Sequence, residues 1–176
     1  MSLLKWLGLA PYSSPEVDSL AEIERALTQL DPRDARYLAC FAYILHRIAR
    51  ADHVITDEES ALIHQMVVQH GGIDGSRADL VVGIARSEGL RHGGTEDFIV
   101  SREFERLATR EEKLALIDCL FAVSATDRSI RTVEDNEIRR VASEIKLDHA
   151  DYIRIRRGHV HHLAARGTSG DTDSQT

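Results

Sequence analysis

Several residue types are scarce in this sequence, and each shortage excludes a class of protein. Aromatic residues make up only 5% of the 176 residues, and there are three prolines and two cysteines. Two cysteines cannot build the disulfide framework that holds many small secreted domains together. The low number of prolines leaves long stretches free to form helices, because proline inside a helix costs about 3 kcal/mol.

The chain also lacks a long apolar run and an excess of basic residues. No stretch approaches the roughly 20 apolar residues that a transmembrane helix needs, and the apolar run at the start is too short for a secretion signal. The formal net charge of −7 opposes general affinity for nucleic acid. We therefore expect a cytoplasmic protein without a nucleic-acid partner.

Apolar residues are present instead at helical spacing. Leu38, Phe41 and Leu45, for example, follow each other at intervals of three and four, which places them on one face of an α-helix. Thr56 and Thr109 are each followed three residues later by a glutamate, the signature of a capping box at a helix start. These patterns predict an all-α fold, a compact bundle of about eight helices.

The distribution of these patterns predicts one folded domain with two short flanking segments. The helical pattern extends over residues 14–165, a length at which one core buries about 70% of the surface of the unfolded chain. Residues 1–13 form an N-terminal segment that either packs on the domain or contacts a partner or a membrane surface. Residues 166–176 are polar and glycine-rich, have nothing to bury and are predicted to be disordered.

One acidic phrase occurs twice, each time between two helical patterns. The two copies place Asp, Ile and Glu at matching positions, namely Asp52, Ile55 and Glu59, and again Asp127, Ile130 and Glu134. All three pairs have the same offset, since 127 − 52, 130 − 55 and 134 − 59 all equal 75. We interpret this repetition as an internal helix-loop-helix duplication, which can bring four carboxylates from two loops together.

The carboxylates of the acidic phrase are candidate metal ligands. The four predicted ligands are Asp52, Glu59, Asp127 and Glu134. Each glutamate precedes an apolar helix position by four residues and should lean toward the core. Each aspartate follows the carboxyl end of a helix, where an anion is unfavourable unless a cation compensates it. Oxygen ligands without sulfur or imidazole favour Ca²⁺ or Mg²⁺.

Structural explanations of these acids remain open. Glu59 is also the third residue of a capping box, Glu134 also lies in the first turn of its helix, and both aspartates can close turns. An EF-hand is excluded, because His53 or Arg128 occupies the position of its turn glycine. A carboxylate-bridged di-iron site would need Glu-x-x-His pairs, and the sequence contains none.

Other reactive residues have weaker support. His159, His161 and His162 could form a metal tract, but no third ligand of suitable spacing accompanies a pair of them, and the polar face of the last helix is the favoured explanation. Cys40 and Cys119 lie in apolar runs without an evident activating base, and no nucleophilic serine motif is present. We therefore expect a protein that is not an enzyme.

The repeated acidic phrase matches the motif of a known protein family. Ala51-Asp52-x-x-Ile55-x-x-x-Glu59, with its second copy Thr126-Asp127-x-x-Ile130-x-x-x-Glu134, resembles the tellurite-resistance protein B (TerB-like) family over residues 35–155. The resemblance implies a bacterial, cytoplasmic, all-helical domain with a central acidic cluster associated with metal ions, in a family tied to tellurite and other stress responses. The chain departs from the family pattern at His53 and Arg128, where a glycine normally follows each aspartate.

The acidic phrase and the family resemblance together suggest three possible functions. The leading expectation is a non-enzymatic domain that binds or senses a divalent cation, Ca²⁺ or Mg²⁺ being favoured, within a stress response of the tellurite-resistance type. The alternative is a protein–protein interaction module, with an unidentified protein partner, in which the acids are structural. The third and weakest hypothesis is a metal-dependent hydrolase that uses the four carboxylates.

Overall fold

The fold is all-α, as the sequence predicts. The computed structural model describes residues 2–7, 16–49, 55–87, 94–127 and 130–162, with side chains except at 16–19, 127 and 162. Within these ranges the chain forms nine α-helices and no strand. The helices are α1 (Leu3–Trp6), α2 (Glu16–Thr28), α3 (Pro32–Ala49), α4 (Asp57–Gln69), α5 (Gly75–Arg86), α6 (Gly94–Leu107), α7 (Arg110–Ser124), α8 (Thr132–Glu144) and α9 (His149–Gly158). Ala125–Asp127 and Val160–His162 form 3₁₀ turns.

The sequence predicts about eight helices, and the short helix α1 is the one that was not predicted. It packs against α3, and Leu4 and Leu7 are buried in the common hydrophobic core. Its start is fixed by the Ser2 hydroxyl, which accepts a hydrogen bond from the Lys5 backbone N–H at 3.4 Å. The described part of the N-terminal segment therefore packs on the helices, which is one of the two arrangements expected for it.

Helix α3 lies at the centre of the bundle. It packs against α1, α2, α5, α6, α7 and α8, and every residue from 37 to 48 is buried. The sequence predicts a single apolar stripe here, whereas the structure leaves this stretch no solvent-facing side. A helix surrounded by other helices is largely apolar on all sides, which explains why small and large apolar residues alternate here as far as the buried His46 and Arg47.

Helices α4 and α7 begin at the predicted capping boxes. The Thr56 hydroxyl accepts from the Glu59 N–H at 3.2 Å, and the Glu59 carboxylate accepts from the Thr56 N–H at 2.7 Å. Thr109 and Glu112 repeat this exchange at 3.2 and 2.8 Å. Each pair of bonds satisfies two N–H groups that a helix start leaves without partners, so the local sequence fixes where these helices begin.

The last helix is shorter than the sequence predicts. The pattern suggests a helix to about residue 165, capped by Asp148; the cap is confirmed, since Asp148 accepts from the Ala150 N–H at 2.8 Å. However, α9 ends at Gly158, because glycine is a poor helix residue and the next side chain, His159, turns toward α7. The predicted disordered tail, 166–176, lies outside the described residues.

The helix boundaries flank the two copies of the acidic phrase in the same way. Helix α3 ends at Ala49 and α4 begins at Asp57, while α7 ends at Ser124 and α8 begins at Thr132. The structure shows only that these helix boundaries correspond. That the two helix-loop-helix units arose by duplication remains a prediction. Among the helices described, none combines the length and the apolar character required to cross a membrane.

Candidate functional site

The four predicted metal ligands are described to different extents. Asp52 lies outside the described residues, and Asp127 ends a 3₁₀ turn whose backbone alone is described at that position. Glu59 and Glu134 lie in the first turns of α4 and α8. The convergence of all four carboxylates therefore remains a prediction, whereas the environments of the two glutamates can be stated.

Glu59 faces solvent, so the expectation that its side chain leans toward the core is wrong. The buried face of α4 carries Ser60, Ile63 and Val67, and Glu59 lies at the edge of that face. Its carboxylate turns back along the helix to accept the Thr56 N–H at 2.7 Å. The capping interaction places the carboxylate over the start of the helix, and at this helix start that position is open to solvent.

Glu134 is buried, as predicted, with 7% of its surface exposed. One carboxylate oxygen accepts the Arg131 N–H at 2.8 Å, and the other accepts the Arg131 guanidinium at 3.0 Å. The capping residue therefore also supplies the positive charge that a buried carboxylate needs. The Arg131 side chain is half exposed, so this counter-charge comes from the solvent side.

A cavity of about 250 Å³ opens beside Glu134. Its lining combines carboxylates, guanidinium groups and apolar side chains, namely Arg47, Ile48, Asp97, Val133, Glu134, Glu137 and Arg140. Val133, at its edge, is 72% exposed, although it is a large apolar residue. The cavity therefore gives solvent a path to the buried end of the second acidic phrase.

Arg47, which lines this cavity, holds together three carboxylates. We call Arg47, Asp97, Glu137 and Glu144 the Arg47 cluster. The guanidinium, only 2% exposed, donates to Glu137 and, at 2.9 Å, to Glu144, and its Nε lies 3.8 Å from Asp97. Burial alone would lower the pKa of Arg47, but hydrogen bonds to Glu144 and Glu137 outweigh burial and raise the pKa. The arginine therefore stays charged and links α3 to α6 and α8.

The Arg47 cluster was not predicted from the sequence. The available signal was an arginine, next to His46, in the last turn of a mostly apolar helix, because a buried arginine needs carboxylate partners. Tyr43, one turn earlier, supports the cluster by donating its hydroxyl to Asp97 at 2.9 Å. The partners themselves could not be identified from the sequence, since they lie 50 to 97 positions further along the chain.

A second group of titratable residues, which we call the Asp118 cluster, joins α4, α7 and α9. His70 Nδ1 lies 2.7 Å from one oxygen of Asp118, and His159 Nε2 lies 2.7 Å from the other. The His159 ring also stacks on Phe121, with centroids 5.5 Å apart. His159 is thus part of an interhelical contact, and neither the metal tract nor the solvated polar face considered from the sequence describes it.

The pKa of Asp118 is lowered by this arrangement. Burial acts to raise the pKa of the carboxyl group, but hydrogen bonds to His159 and His70 act in the opposite direction and prevail. Asp118 therefore remains ionised between two imidazole rings at neutral pH. Such a carboxylate stabilises the positions of both rings.

Metal binding gains no direct support from the described residues. Within the ranges that the structure covers, no three side chains of His, Cys, Asp or Glu are grouped so that they could hold a metal ion. This finding does not extend to Asp52 or to the side chain of Asp127, so the four-carboxylate site is neither confirmed nor contradicted. Its oxygen donors nevertheless fit Mg²⁺ or Ca²⁺ better than Zn²⁺.

Both cysteines are buried and unreactive. Cys40 in α3 and Cys119 in α7 are fully inaccessible to solvent, and both are free thiols. Burial raises the pKa of each thiol far above its ordinary value, so neither forms a thiolate at neutral pH. These thiols therefore serve as small apolar core residues.

Most of the chain is matched by the model of a known protein family. The family model described as "Tellurite resistance protein TerB" matches residues 37–157, well over half of the chain. No curated protein and no solved structure matches the chain. The matched region begins in the central helix α3, contains both copies of the acidic phrase and ends in α9. The chain therefore belongs to the TerB family of tellurite-resistance proteins.

Proposed function

We propose that this protein is a non-catalytic TerB domain that binds a divalent cation, Mg²⁺ or Ca²⁺, through the two acidic phrases in a tellurite-resistance type of stress response. The observation that carries the proposal is the buried carboxylate of Glu134 beside a solvent-accessible cavity. A buried carboxylate requires a positive partner, and Arg131 supplies one from a half-exposed position. In this proposal a bound cation takes the place of that half-exposed guanidinium.

The capping role of the glutamates is compatible with cation binding. Glu59 and Glu134 each use one carboxylate oxygen to accept the backbone N–H at the start of a helix. A carboxylate has about four lone-pair sites, so a capping bond leaves acceptor capacity for a metal ion. Asp52 and Asp127 would add oxygen ligands from the preceding loops, in keeping with the oxygen coordination that Mg²⁺ and Ca²⁺ prefer.

Calorimetric titration with Mg²⁺, Ca²⁺, Mn²⁺ and Zn²⁺ tests this proposal. We expect binding heat for the wild type and its loss in Asp52→Asn/Asp127→Asn and in Glu59→Gln/Glu134→Gln. Glutamine can still close a capping box, so the second double variant removes charge while keeping the helix starts. Glu58→Gln is the matched control, because Glu58 is an exposed acid next to Glu59 that makes no ion pair among the described residues.

A protein–protein interaction module is the second candidate function. The observation in its favour is that both described glutamates are already engaged at helix starts, Glu134 also with a guanidinium. If no ion produces heat, and if Glu59→Ala/Glu134→Ala melts at a lower temperature than the wild type, the acids are structural. An unidentified protein partner would then define the function.

A metal-dependent hydrolase is the third and weakest candidate. It would require a metal with a water-accessible coordination position, since the metal must activate a water molecule. The activity would be seen as turnover of a phosphate ester with Mn²⁺ or Mg²⁺ that Asp127→Asn abolishes. Binding heat without turnover would leave cation binding as the function.

A further inference from the structure

Helix α9 packs mainly on α7, and few of its residues are buried. Asp151 and Tyr152 are its buried residues, while Ile153 and Ile155 are partly buried. Tyr152 is the main apolar anchor: it is 2% exposed, and its ring centroid lies 6.1 Å from that of Phe121 in α7. A helix of ten residues is too short to be stable alone. The position of α9 therefore depends on its contacts with other helices, and few of these are hydrophobic.

Three polar pairs attach α9 and the turn after it to α7 and α8. The pairs are Asp151 with Arg110 at 2.7 Å, Arg156 with Asp135 at 2.8 Å, and His159 with Asp118 at 2.7 Å. Contacts of this kind are readily replaced by water, so α9 is an element that can detach without unfolding of the core. None of these pairs involves a residue of either acidic phrase, and α9 is therefore separate from the proposed cation site.

The bend between α8 and α9 is strained at Lys146. Lys146 has a φ of 53°, and in the part of the chain that the structure describes it is the one non-glycine residue with a positive φ. Two backbone hydrogen bonds close the bend, from the Lys146 N–H to the Ser143 carbonyl at 3.1 Å and from the Leu147 N–H to the Ala142 carbonyl at 2.9 Å. Glycine usually occupies the left-handed position of such a turn, because a Cβ atom is disfavoured there. Lysine therefore introduces strain that glycine would avoid.

The sequence of this connection is compatible with an uninterrupted helix. Residues 143–148, Ser-Glu-Ile-Lys-Leu-Asp, contain neither glycine nor proline, the two residues that are least favourable inside a helix. With Lys146 in the right-handed helical conformation, α8 and α9 would join into one helix over residues 132–158, about 40 Å long. The docking contacts of α9, together with the Asp148 cap, hold the bend against the strain at Lys146.

We propose that two copies of this chain exchange α9 and so form a symmetric dimer. In the dimer, α8 and α9 of each copy form one straight helix, and α9 docks on α7 of the other copy. A second copy carries the same residues, so it reproduces all three polar pairs and the contact of Tyr152 with Phe121. The exchange also relieves the strain at Lys146. Exchange of an identical element is a low-cost route to a dimer, because it requires no new interface.

Complementary charge reversals at the pair of Arg110 and Asp151 test the exchange. In Arg110→Asp and in Asp151→Arg, like charges face each other within one chain, and also between two copies of the same variant. In a mixture of the two variants, exchange of α9 places opposite charges together at both docking sites. We expect size-exclusion chromatography with light scattering to show about tenfold more dimer in the mixture than in either variant alone.

Two results of the mixing experiment would overturn the proposal. A mixture that stays monomeric would show that α9 does not exchange between copies. Equal amounts of dimer in the mixture and in each variant alone would show that the chains associate through another surface. Circular dichroism of each variant, compared with the wild type, shows whether the helices are intact, so that a missing dimer is not attributed to unfolding.

Two substitutions of Lys146 test the role of the bend without changing the docking contacts of α9. Lys146→Gly removes the strain from the monomer and disfavours the straight helix, so we expect the dimerisation constant to fall about tenfold or more. Lys146→Ala is the matched control. Both substitutions remove the contact of the Lys146 ammonium with Glu105 at 3.8 Å, but alanine keeps a Cβ atom and favours a helix.

Sedimentation equilibrium of the full chain over a range of concentrations measures these constants. We expect the wild type to dimerise at high concentration, and Lys146→Ala to dimerise at least as strongly as the wild type. Equal constants for Lys146→Gly and Lys146→Ala would contradict the proposal, because the backbone conformation at Lys146 would then have no influence. A wild type that remains monomeric at every concentration would overturn it.

Discussion

Glu59 and Glu134 occupy matching positions in the repeated phrase but lie in different environments. Both accept the N–H of the residue three positions earlier, at 2.7 and 2.8 Å. Glu59 is exposed, whereas Glu134 is 7% exposed and also contacts a guanidinium. The same local interaction therefore contributes differently to stability, because a hydrogen bond with a buried charged group is worth more than an exposed one.

Removal of the Glu134 carboxylate should destabilise the fold more than removal of the Glu59 carboxylate. We expect Glu134→Ala to lower the free energy of unfolding by about 2 kcal/mol, and Glu59→Ala by about 1 kcal/mol or less. Glutamine at either position should cost less than alanine, because it keeps the capping bond. Urea denaturation followed by circular dichroism measures all four variants. Equal losses for the two alanine variants would show that burial of Glu134 has no energetic role.

Arg47 should be the charged side chain whose loss costs most. In Arg47→Met the three carboxylates of the Arg47 cluster would lose their common partner, and we expect a loss of about 3–5 kcal/mol. Arg140→Met is a suitable control: Arg140 also binds Glu144, at 3.1 Å, but is 59% exposed, so its loss should cost under about 1 kcal/mol. Denaturant unfolding of both variants checks the prediction. A small loss for Arg47→Met would mean that methionine packing compensates for the lost ion pairs.

The turn between α4 and α5 contains two adjacent glycines, Gly71 and Gly72, and each is required for a different reason. A Cβ atom on Gly71 would lie 2.5 Å from the Val67 carbonyl oxygen and 3.0 Å from the Phe41 ring. Gly72 has a φ of 65°, but a Cβ there would meet open space. The first glycine is thus required by close packing of the turn on α3 and α4, and the second by backbone conformation.

These two requirements predict different costs for alanine. Gly71→Ala must displace backbone or a buried ring, so we expect a loss of about 2–3 kcal/mol. Gly72→Ala meets no obstacle and should lose about 1–2 kcal/mol, the cost of the left-handed conformation for a residue with a Cβ. Thermal melts of the two variants, compared with the wild type, give the order of the effects. A larger loss for Gly72→Ala would indicate that the turn near Gly71 moves easily.

The starts of the helices were predictable from sequence, because the interactions that fix them are local. Thr56 and Thr109 with their glutamates, and Asp148 at α9, all bind backbone groups within three residues. The end of α9 was not predictable in the same way. His159 leaves the helical direction for Asp118, 41 positions earlier in the chain, and no local pattern contains that contact.

Taken as a whole, the protein should lose stability in acid. The pKa of Asp118 is lowered in the folded state, because its hydrogen bonds to His159 and His70 outweigh the effect of burial. The pKa of Asp135 is lowered too, first by its hydrogen bonds with Arg156. A carboxyl group with a lowered folded pKa stabilises the fold above its unfolded pKa of about 3.9, and this contribution is lost as the pH falls through the folded value.

Asp118→Asn should therefore reduce the acid sensitivity of the protein. We expect the free energy of unfolding of the wild type to fall between pH 5 and pH 3, and the fall to be smaller in the variant. At pH 7 the variant should be less stable than the wild type, because the two histidines lose a charged acceptor. Urea denaturation at several pH values provides the comparison, with exposed Asp79→Asn as the control variant. An unchanged slope in Asp118→Asn would exclude this carboxyl group as a source of the pH dependence.

The bundle was easier to predict from the sequence than the site. Helical periodicity and the double phrase lead to an all-α TerB domain, because both are repeated along the chain. The environments of the acids depend on contacts between residues distant in sequence, such as the hydrogen bond of Arg47 with Glu144, 97 positions away. In the same way, the spacing of Glu59 from the apolar residues of α4 does not show whether its side chain faces the core or solvent. The residues of the acidic phrase could be named in advance, but their burial and their counter-charges could not.

The inaccessible thiols give the protein an internal probe. A maleimide or disulfide reagent can reach Cys40 or Cys119 only when α3 or α7 separates from its neighbours, since both sulfur atoms lie in the core. The rate of covalent labelling under native conditions therefore reports how often the interior opens. Labelling that slows on addition of a metal ion would reveal which cations hold the bundle closed, without any knowledge of the physiological partner.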